Sequence, residues 1–436
     1  MPHTFLPSPP LVGRLRVPGD KSISHRALIT ATLATGESRI TGLLEAEDTL
    51  ATAEAMRVMG AVIEKRDGTW HVHGVGVGGL LQPEVALAMG NSGTSARLLA
   101  GLIASHGITA CLTGDASLSR RPMERIITPL SLMGASFAPS PVDRLPMMVT
   151  GCDPAVPIRY RLPVPSAQVK SALLLAALNT PGESEIIEPV PTRDHTERML
   201  RAMGAAVTVS EEGGERIIRV RGRTDLHAAA MDVPGDPSSA AFLVVAALLV
   251  EGSDVVIGNV CMNPTRTGLF AVLRLMGGWI EERDARHVGG EPVADLHVRH
   301  SALTGVEIDP ALVPSMIDEF PVFFVAAACA RGRTVATGLG ELRVKESDRL
   351  AAMARALTLA GARVEETADG LVIDGTGGEP LPGTPDGTAV ATLLDHRVAM
   401  SMAVAGLASR AGVCIDDAAP IATSFPDFVR TLEEAA

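Results

Sequence analysis

The feature that most constrains the fold of this chain is a short motif that recurs at nearly constant spacing. In each copy an amphipathic helical pattern ends in Met or Ala, Gly and a further small residue follow, and a β-branched run comes next. The spacing between copies is 74, 70, 73 and 84 residues, and the glycines are Gly60, Gly134, Gly204, Gly277 and Gly361. One sixth of the chain is about 73 residues, so the period predicts six repeated units, the last of them ending at the C-terminal helix.

Each repeat also contains a helical stretch rich in Ala, Leu and Val that begins with polar residues. The six starts are KSISHR at 21–26, NSGTSAR at 91–97, SAQVK at 166–170, DPSS at 236–239, DEFP at 318–321 and DHR at 395–397. Bodies this apolar belong in a protein interior. The fold class that follows is α/β, with buried helices, outer strands and repeats that must pack on their neighbours.

The sequence Val-Pro-Gly-Asp occurs twice and suggests where the chain divides. It stands at 17–20 and again at 233–236. We therefore predict one domain at residues 19–232 and a second formed by residues 1–18 plus 233–436, each with three β/α repeats. The crossings lie near 14–19 and 230–235, and two short crossings favour an opening and closing motion of the halves.

Composition excludes several functional classes. The formal net charge is −12, which argues against nucleic acid as a general partner. The five cysteines are scattered without CxxC or Cys/His metal spacing, and the N-terminus lacks the charged-then-apolar pattern of a signal peptide. The longest apolar helical body, 240–250, is too short to cross a bilayer. We expect a cytoplasmic protein without a metal and, because aromatic residues make up 3% of the chain, a monomer.

The first polar helix start has the chemistry of an anion site. Asp20 or Ser22 can cap the helix, and free N–H groups and the helix dipole already favour an anion there. Lys21 and Arg26 add two positive charges within this start. The alternative is an ordinary solvated helix start.

Other polar clusters carry comparable groups. The glycines around Gly93 allow backbone N–H groups to approach a ligand, and Arg121 can bind a carboxylate or phosphate with two parallel bonds. Ser166, Ala167 and Gln168 repeat the hydroxyl-plus-amide helix start. For these clusters the alternatives are a capped turn or a solvated loop, and for residues 192–197 a capping box with surface charges.

Acidic residues stand out at two later starts. Asp318 and Glu319 lie at the mouth of a buried helix, where desolvation would raise a carboxyl pKa and suit a general base; the alternative is a plain N-cap. If residues 342–350 form one helix, Lys345 and Arg349 share a face and can reach one dianion. With Arg397 at the sixth start, all six clusters are expected to converge on a cleft between the two halves.

Together these motifs closely resemble the 5-enolpyruvylshikimate-3-phosphate synthase family, over essentially the whole chain and in order. The matching segments are Lys21-Ser22 with Arg26, Gly90 to Thr94, Arg121-Pro122, Ser166 to Gln168, Asp318-Glu319, Lys345 to Arg349 and Asp395 to Arg397. The resemblance implies transfer of the enolpyruvyl group of phosphoenolpyruvate to the 5-hydroxyl of shikimate 3-phosphate, with release of phosphate. It also implies two similar domains, each an inside-out arrangement of three β/α units.

The resemblance further implies the site residues, with no metal or organic cofactor. Shikimate 3-phosphate would be bound by Lys21, Ser22, Arg26, Ser166, Ala167, Gln168, Arg193, Asp318 and Lys345. Phosphoenolpyruvate would be bound by Lys21, Gly93, Arg121, Gln168, Arg349 and Arg397. Asp318 would take the proton of the 5-hydroxyl, while Glu346 and Lys21 would transfer a proton at the methylene carbon.

The chain departs from one branch of the family near its end. The enteric-type enzymes have a lysine in an Ala-x-x-Phe-Pro motif, where this chain has Thr423 and Ser424. Its Ser-Ala-Gln and Lys-Glu-Ser-Asp-Arg segments resemble a second bacterial branch, in which glyphosate tolerance is associated with a methyl group at the position of Gly93. Glycine here predicts that glyphosate competes with phosphoenolpyruvate.

Two alternatives remain open. UDP-N-acetylglucosamine enolpyruvyl transferase shares the fold and the chemistry, but resemblance to it would require a cysteine within 115–125, where this chain has none. The second alternative is a non-catalytic phosphometabolite-binding protein, which would not need both Asp318 and Glu346 beside the cations.

Overall fold

Repeated pairs of helices are the main elements of the structure, a computed structural model that describes residues 2–139 and 144–436. Short 3₁₀ turns occur at Leu118–Arg120, Pro310–Leu312, Gly340–Val344 and Ala419–Thr423. The α-helices are α1 (Lys21–Thr32), α2 (Glu47–Val58), α3 (Gly93–Ala104), α4 (Glu124–Leu132), α5 (Ala167–Leu178), α6 (His195–Ala202), α7 (Pro237–Leu249), α8 (Gly268–Leu275), α9 (Val313–Met316), α10 (Phe320–Cys329), α11 (Arg349–Leu359), α12 (His396–Leu407) and α13 (Phe428–Ala435).

The strands are short and follow the helices in a regular order. They are β1 (His3–Phe5), β2 (Val12–Arg16), β3 (Ala34–Thr35), β4 (Glu37–Thr41), β5 (Val62–Arg66), β6 (Thr69–His73), β7 (Leu87–Ala88), β8 (Thr109–Thr113), β9 (Ser136–Pro139), β10 (Met147–Thr150), β11 (Arg159–Arg161), β12 (Glu183–Glu188), β13 (Ala206–Glu212), β14 (Glu215–Arg221), β15 (Leu226–His227), β16 (Ala230–Asp232), β17 (Asp254–Cys261), β18 (Trp279–Val288), β19 (Glu291–Arg299), β20 (Arg333–Ala336), β21 (Arg363–Glu366), β22 (Leu371–Asp374) and β23 (Val413–Ile415).

The described chain divides into two compact units. The central unit contains Gly19–Val233 and Val288–Glu291, the latter from the turn between β18 and β19. The terminal unit contains the described residues up to Pro18 together with Pro234–His287 and Pro292–Ala436.

The six apolar helices begin at the predicted polar starts. The bodies of α1, α3, α5, α7, α10 and α12 are almost wholly buried, and α10 is buried along its whole length. In five of them a side-chain oxygen just before the first turn accepts a bond from a free backbone N–H, which fixes where the helix begins. These caps are Asp20, Ser92, Ser166, Asp236 and Asp395.

The spaced glycines end the amphipathic helices. All five have φ between 93° at Gly361 and 107° at Gly60. This left-handed conformation closes a helix C-terminus and is strained for any residue with a Cβ. The period seen in the sequence is therefore a period of helix ends.

Each complete sheet combines one parallel pair with an antiparallel hairpin. In the central unit the strand orders are β16-β4-β6-β5, β7-β8-β10-β9 and β11-β12-β14-β13, and the first pair of each is parallel. In the terminal unit β2 pairs in parallel with β17, whereas β20, β22 and β21 are antiparallel. The segments β2 and β16 thus supply the parallel edge strands of the fourth and first repeats. This architecture confirms the predicted α/β class.

Within the described residues, no single helix is long and apolar enough to cross a membrane. The helix pair Pro310–Met316 and Phe320–Cys329 satisfies the same length and composition criteria when joined, but it is bent by 119°.

The structure does not show the alternative of a capping box with surface charges at residues 192–197. His195, Thr196 and Glu197 are all buried, and Asp194 makes no side-chain capping bond to α6. Because α6 packs against α1 and α5, these groups meet other elements of the central unit: Glu197 lies 2.8 Å from Lys170, and His195 lies 2.8 Å from Glu291.

Candidate active site

The first polar helix start holds its lysine beside an acid. Asp20 caps α1 by accepting a 2.8 Å bond from the backbone N–H of Ile23. The Lys21 ammonium forms an ion pair with Asp48, a nearly buried residue of α2. Asp48 was not predicted, because it lies in an ordinary acidic helix start with no motif to mark it.

Arg26 is buried and connects three helices. Its Nε donates to the Thr196 hydroxyl at 2.7 Å, its Nη2 to the Ser171 hydroxyl at 2.7 Å and its Nη1 to the Ser22 carbonyl at 2.9 Å. The structure therefore shows a role for Arg26 in joining α1, α5 and α6. Its contact with a substrate stays a prediction.

His25 lies behind the same helix start in a chain of hydroxyl groups. Its Nδ1 is 2.8 Å from the Thr52 hydroxyl, and that hydroxyl is 2.7 Å from Ser95. Burial, followed by the charges of Lys21 and Arg26, holds the pKa of His25 well below its usual value. The neutral imidazole thus connects α1 with α2 and α3 without adding a charge.

The second and third starts are joined through one arginine. Arg97 donates to the Gln168 side-chain oxygen at 2.9 Å and to the Pro122 carbonyl at 3.1 Å. Gln168 in turn donates to the Thr94 hydroxyl at 3.0 Å. The Gln168 amide is therefore held by α3.

Gly93 and Arg121 lie close together at the start of α3. A Cβ at position 93 would stand 2.7 Å from Arg97 Nη1 and 3.3 Å from Arg121 Nη1. Arg121 also donates to the side-chain oxygen of Asn91 at 2.5 Å. Two guanidinium groups thus lie beside Gly93, and any side chain larger than the hydrogen of glycine would have to displace them.

The remaining predicted residues of the central unit lie on α5 and the loop before α6. Ser166 caps α5, and Ala167 is its first residue. Arg193 is partly exposed between the buried residues Thr192 and Asp194.

Asp194, His195 and Glu291 present three groups of the kind that bind metal ions, and their ligand atoms lie within 4.8 Å of one another. Guanidinium groups already lie beside both carboxylates: Arg198 Nε donates to Asp194 at 2.8 Å and lies 3.8 Å from Glu291, and Arg216 lies 3.5 Å from Asp194. This arrangement is an ion-pair network that already contains two guanidinium groups.

Arg349 is the centre of a charged cluster in the terminal unit. Its guanidinium is fully buried and lies 2.8 Å from Asp395, 2.6 Å from Glu346 and 3.5 Å from Asp318. Burial by itself would lower the pKa of Arg349, but these carboxylates raise it above its ordinary value. The same arginine keeps the pKa of Asp395 below its usual value although burial opposes this.

Asp318 faces two cations rather than an apolar surface. Its Oδ1 lies 3.3 Å from the Lys345 ammonium and 3.5 Å from Arg349. Two positive charges thus lie within 3.5 Å of one carboxylate oxygen.

Residues 342–350 do not form one helix. A 3₁₀ turn ends at Val344, and α11 begins at Arg349 with Asp348 as its cap. Asp348 interrupts the helix because its side chain accepts from the backbone N–H of Ala351. Lys345 and Arg349 nevertheless approach the same carboxylate, from two elements instead of one helix face.

Arg397 lies against the turn that contains the two acids. Its Nη1 donates to the backbone carbonyl of Asp318 at 2.8 Å and lies 3.9 Å from Glu319. Glu319 is buried and accepts a bond from the Ser238 hydroxyl, which also accepts from Arg266 at 2.8 Å. Arg266 was not predicted, because an isolated arginine after a strand gives no signal in the sequence.

Thr423 lies in the segment Ala422 to Pro426, which contains no lysine. It ends a 3₁₀ turn, and its hydroxyl donates to the Pro420 carbonyl at 2.8 Å. Its neutral side chain takes part in a local turn.

Comparison with known proteins identifies the family. A family model described as EPSP synthase (3-phosphoshikimate 1-carboxyvinyltransferase) matches residues 7–432. The chain is 68% identical over 436 residues to the 3-phosphoshikimate 1-carboxyvinyltransferase of Novosphingobium aromaticivorans, covering 100% of this chain and 99% of that protein. It is 61% identical over 428 residues to the protein of the same name from Zymomonas mobilis, covering 98% and 94%.

Solved structures give the same result. EPSP synthase from Acinetobacter baumannii superposes with a TM-score of 0.87 at 45% identity, covering 100% of this chain and 98% of that chain. The enolpyruvyl transferase NikO from Streptomyces tendae has a TM-score of 0.77 at 19% identity over 99% of this chain and 96% of its own, which shows a shared fold. The family match over residues 7–432 and the close relatives lead to one conclusion: this chain belongs to the EPSP synthase (3-phosphoshikimate 1-carboxyvinyltransferase) family.

Proposed function

We propose that this chain carries out the reaction of its family, with the clustered residues described above as its substrate-binding and catalytic groups. The enolpyruvyl group of phosphoenolpyruvate is transferred to the 5-hydroxyl of shikimate 3-phosphate, in the shikimate pathway that leads to chorismate. The observation that carries the residue assignment is Asp318, a carboxylate held 3.3 Å from Lys345 and 3.5 Å from Arg349.

The charges of the substrates explain the number of cations. Phosphoenolpyruvate and shikimate 3-phosphate together bring two phosphates and two carboxylates. We assign shikimate 3-phosphate to Lys21, Ser22, Arg26, Ser166, Ala167, Gln168, Arg193, Asp318 and Lys345. We assign phosphoenolpyruvate to Lys21, Gly93, Arg121, Gln168, Arg349 and Arg397.

The chemistry divides between two carboxylates and a lysine. Asp318 takes the proton of the 5-hydroxyl of shikimate 3-phosphate as the hydroxyl oxygen attacks C2 of phosphoenolpyruvate. At the same time Glu346 and Lys21 deliver a proton to the methylene carbon of phosphoenolpyruvate. The product of this addition is a tetrahedral intermediate. Glu346 then takes a proton from the methyl group while phosphate leaves from C2, which restores the vinyl ether.

The cations already have internal partners that the substrates must replace. Lys21 pairs with Asp48, and Arg349 pairs with Glu346. A substrate phosphate or carboxylate that displaces Glu346 from Arg349 would release Glu346 for proton transfer. Binding and activation of this acid are then one event.

Three further properties belong to the proposal. Glyphosate competes with phosphoenolpyruvate, because Gly93 leaves room beside Arg121. The protein acts as a monomer. It works in the cytoplasm, which fractionation of cells that express it would test.

The decisive experiment measures phosphate release from phosphoenolpyruvate with either shikimate 3-phosphate or UDP-N-acetylglucosamine as acceptor. We expect release with shikimate 3-phosphate, and we expect Asp318→Asn to lower kcat by roughly 10²–10⁴-fold because the base is removed. Asp374→Asn, which alters an exposed ion pair with Arg333, serves as the matched control.

Two results would contradict this assignment. Phosphate release with UDP-N-acetylglucosamine alone would show that the chain is a UDP-N-acetylglucosamine enolpyruvyl transferase. No phosphate release with either acceptor, together with intact binding of shikimate 3-phosphate, would favour a non-catalytic binding protein.

A further inference from the structure

A fully buried group of three charges lies behind the start of α5. We call it the Lys170 triad; it consists of Lys170, Glu188 and Glu197, and none of the three side chains is exposed. The Lys170 ammonium lies 2.9 Å from Glu188 and 2.8 Å from Glu197. It also donates to the backbone carbonyl of Thr192 at 3.3 Å.

Burying these charges is costly, so packing alone does not explain the triad. Moving an ion out of water costs several kcal/mol, and buried ion pairs can often be replaced by apolar residues of similar volume without loss of stability. The cost is visible at Glu188, where burial raises the pKa of the carboxyl group. What charged hydrogen bonds provide beyond apolar contacts is direction.

The directed hydrogen bonds of the triad hold the loop before α6 in place. The Thr192 hydroxyl donates to Glu188 at the end of β12, while the Thr192 carbonyl accepts from Lys170. Asp194, two residues on, is held by Arg198 at 2.8 Å. The backbone of Arg193 is therefore held on both sides, although its side chain is partly exposed.

The same ammonium belongs to the helix that begins with Ser166 and Gln168. Lys170 stands in the first turn of α5, and its backbone N–H bonds to the Ser166 carbonyl at 3.0 Å. One buried cation thus relates the position of Arg193 to that of the α5 start. Both are assigned above to shikimate 3-phosphate.

We propose that the Lys170 triad is a positioning group for shikimate 3-phosphate, which sets the backbone of Arg193 relative to Ser166 and Gln168. This inference rests on the proposed function of those three residues. Lys170 touches no substrate in this proposal and acts through Thr192.

The first test removes the charges together. In the triple variant Lys170→Met, Glu188→Met and Glu197→Leu no charge is left unpaired, so we expect a thermal midpoint close to that of the parent. We expect the Kd for shikimate 3-phosphate, measured calorimetrically without phosphoenolpyruvate, to rise roughly 10–100-fold because Arg193 loses its fixed position. A folded triple variant that binds shikimate 3-phosphate with the parent's Kd would overturn the proposal.

The second test leaves the triad in place and loosens the loop. Thr192→Val removes the hydroxyl bond to Glu188, and we expect the KM for shikimate 3-phosphate to rise several-fold while kcat changes little. Thr180→Val is the matched control, since Thr180 is also buried and its hydroxyl donates to a backbone carbonyl within α5, that of Ala176. If Thr192→Val and Thr180→Val behave alike, the proposal fails even where the triple variant does not fold.

The parent protein separates this inference from the proposed function. If the parent itself does not bind shikimate 3-phosphate, the assignment of the substrate is wrong. If the parent binds it and both sets of variants bind equally well, the substrate stands and the positioning role is wrong.

Discussion

Asp395 is the buried residue whose charge matters most to Arg349. It bonds to the guanidinium at 2.8 and 3.2 Å and also caps α12 through the backbone N–H of Arg397. Because Arg349 keeps the pKa of Asp395 low in the folded protein, the unfolded chain takes up this proton first as the pH falls. The contribution of Asp395 to stability is therefore complete above about pH 4 and is lost as the pH falls towards the folded-state pKa.

We predict that Asp395→Asn lowers the free energy of unfolding at pH 7 by roughly 3–5 kcal/mol, because Arg349 stays buried with fewer partners. Urea unfolding between pH 7 and pH 3 should also show a shallower acid limb than the parent. Asp427→Asn, at an exposed pair with Arg430, is the control and should follow the parent. Equal stability of Asp395→Asn and parent at pH 7 would contradict the prediction.

Gly93 is the residue from which we predict the strength of glyphosate inhibition. The methyl group of Gly93→Ala would push against Arg97 and Arg121, at 2.7 and 3.3 Å. We predict that the inhibition constant of glyphosate rises roughly 10–200-fold, since one added methyl group has effects of this size in a tight site. Steady-state inhibition at several phosphoenolpyruvate concentrations would measure it.

Gly107→Ala is the control for this prediction, because its Cβ meets its nearest neighbour at an ordinary 3.8 Å. The idea would be wrong if glyphosate inhibited the parent weakly and independently of phosphoenolpyruvate concentration.

At the scale of elements, the turn before α12 contains two strained residues. Leu393 and Leu394 both have left-handed backbones, with φ of 55° and 58°, and Leu394 is 71% exposed. A left-handed conformation costs a leucine roughly 1–2 kcal/mol, whereas asparagine adopts it more easily. The turn immediately precedes Asp395, so strain is stored beside the charged cluster.

We predict that Leu394→Asn raises the free energy of unfolding by about 1 kcal/mol, because it relieves strain and gives up little buried surface. Leu275→Asn is the matched control: Leu275 is 69% exposed but lies in α8, where asparagine is a poorer helix former than leucine. Urea unfolding should show opposite signs for the two variants. A loss of stability in both would mean that Leu394 makes contacts that outweigh its strain.

The ends of the helices were more predictable from the sequence than the contacts between helices. Five of the six buried helices begin at a side-chain cap, and the spaced glycines end the amphipathic ones, because both devices act within a few residues of sequence. Residues 342–350 do not meet the condition of a single helix, because the Asp348 side chain caps a helix that begins only at Arg349.

At the scale of the whole molecule, the small number of aromatic residues, 3% of the chain, favours a monomer. Large apolar interfaces are enriched in aromatic side chains, and this chain has few to offer. We predict that sedimentation equilibrium gives the mass of one chain, unchanged over a hundred-fold range of concentration. A mass that doubles with concentration would show a dimer.

The sequence by itself determined the six-fold repeat, the α/β class, the polar starts of the buried helices and the residue types available for anion binding. These follow from contacts between residues near one another in the chain. Only the tertiary structure decided which charges meet: Arg349 with Asp395, Lys21 with Asp48, and Lys170 with Glu188 and Glu197. Such pairs depend on how separate elements pack, and a buried charge takes its partner from whichever element the packing brings within reach.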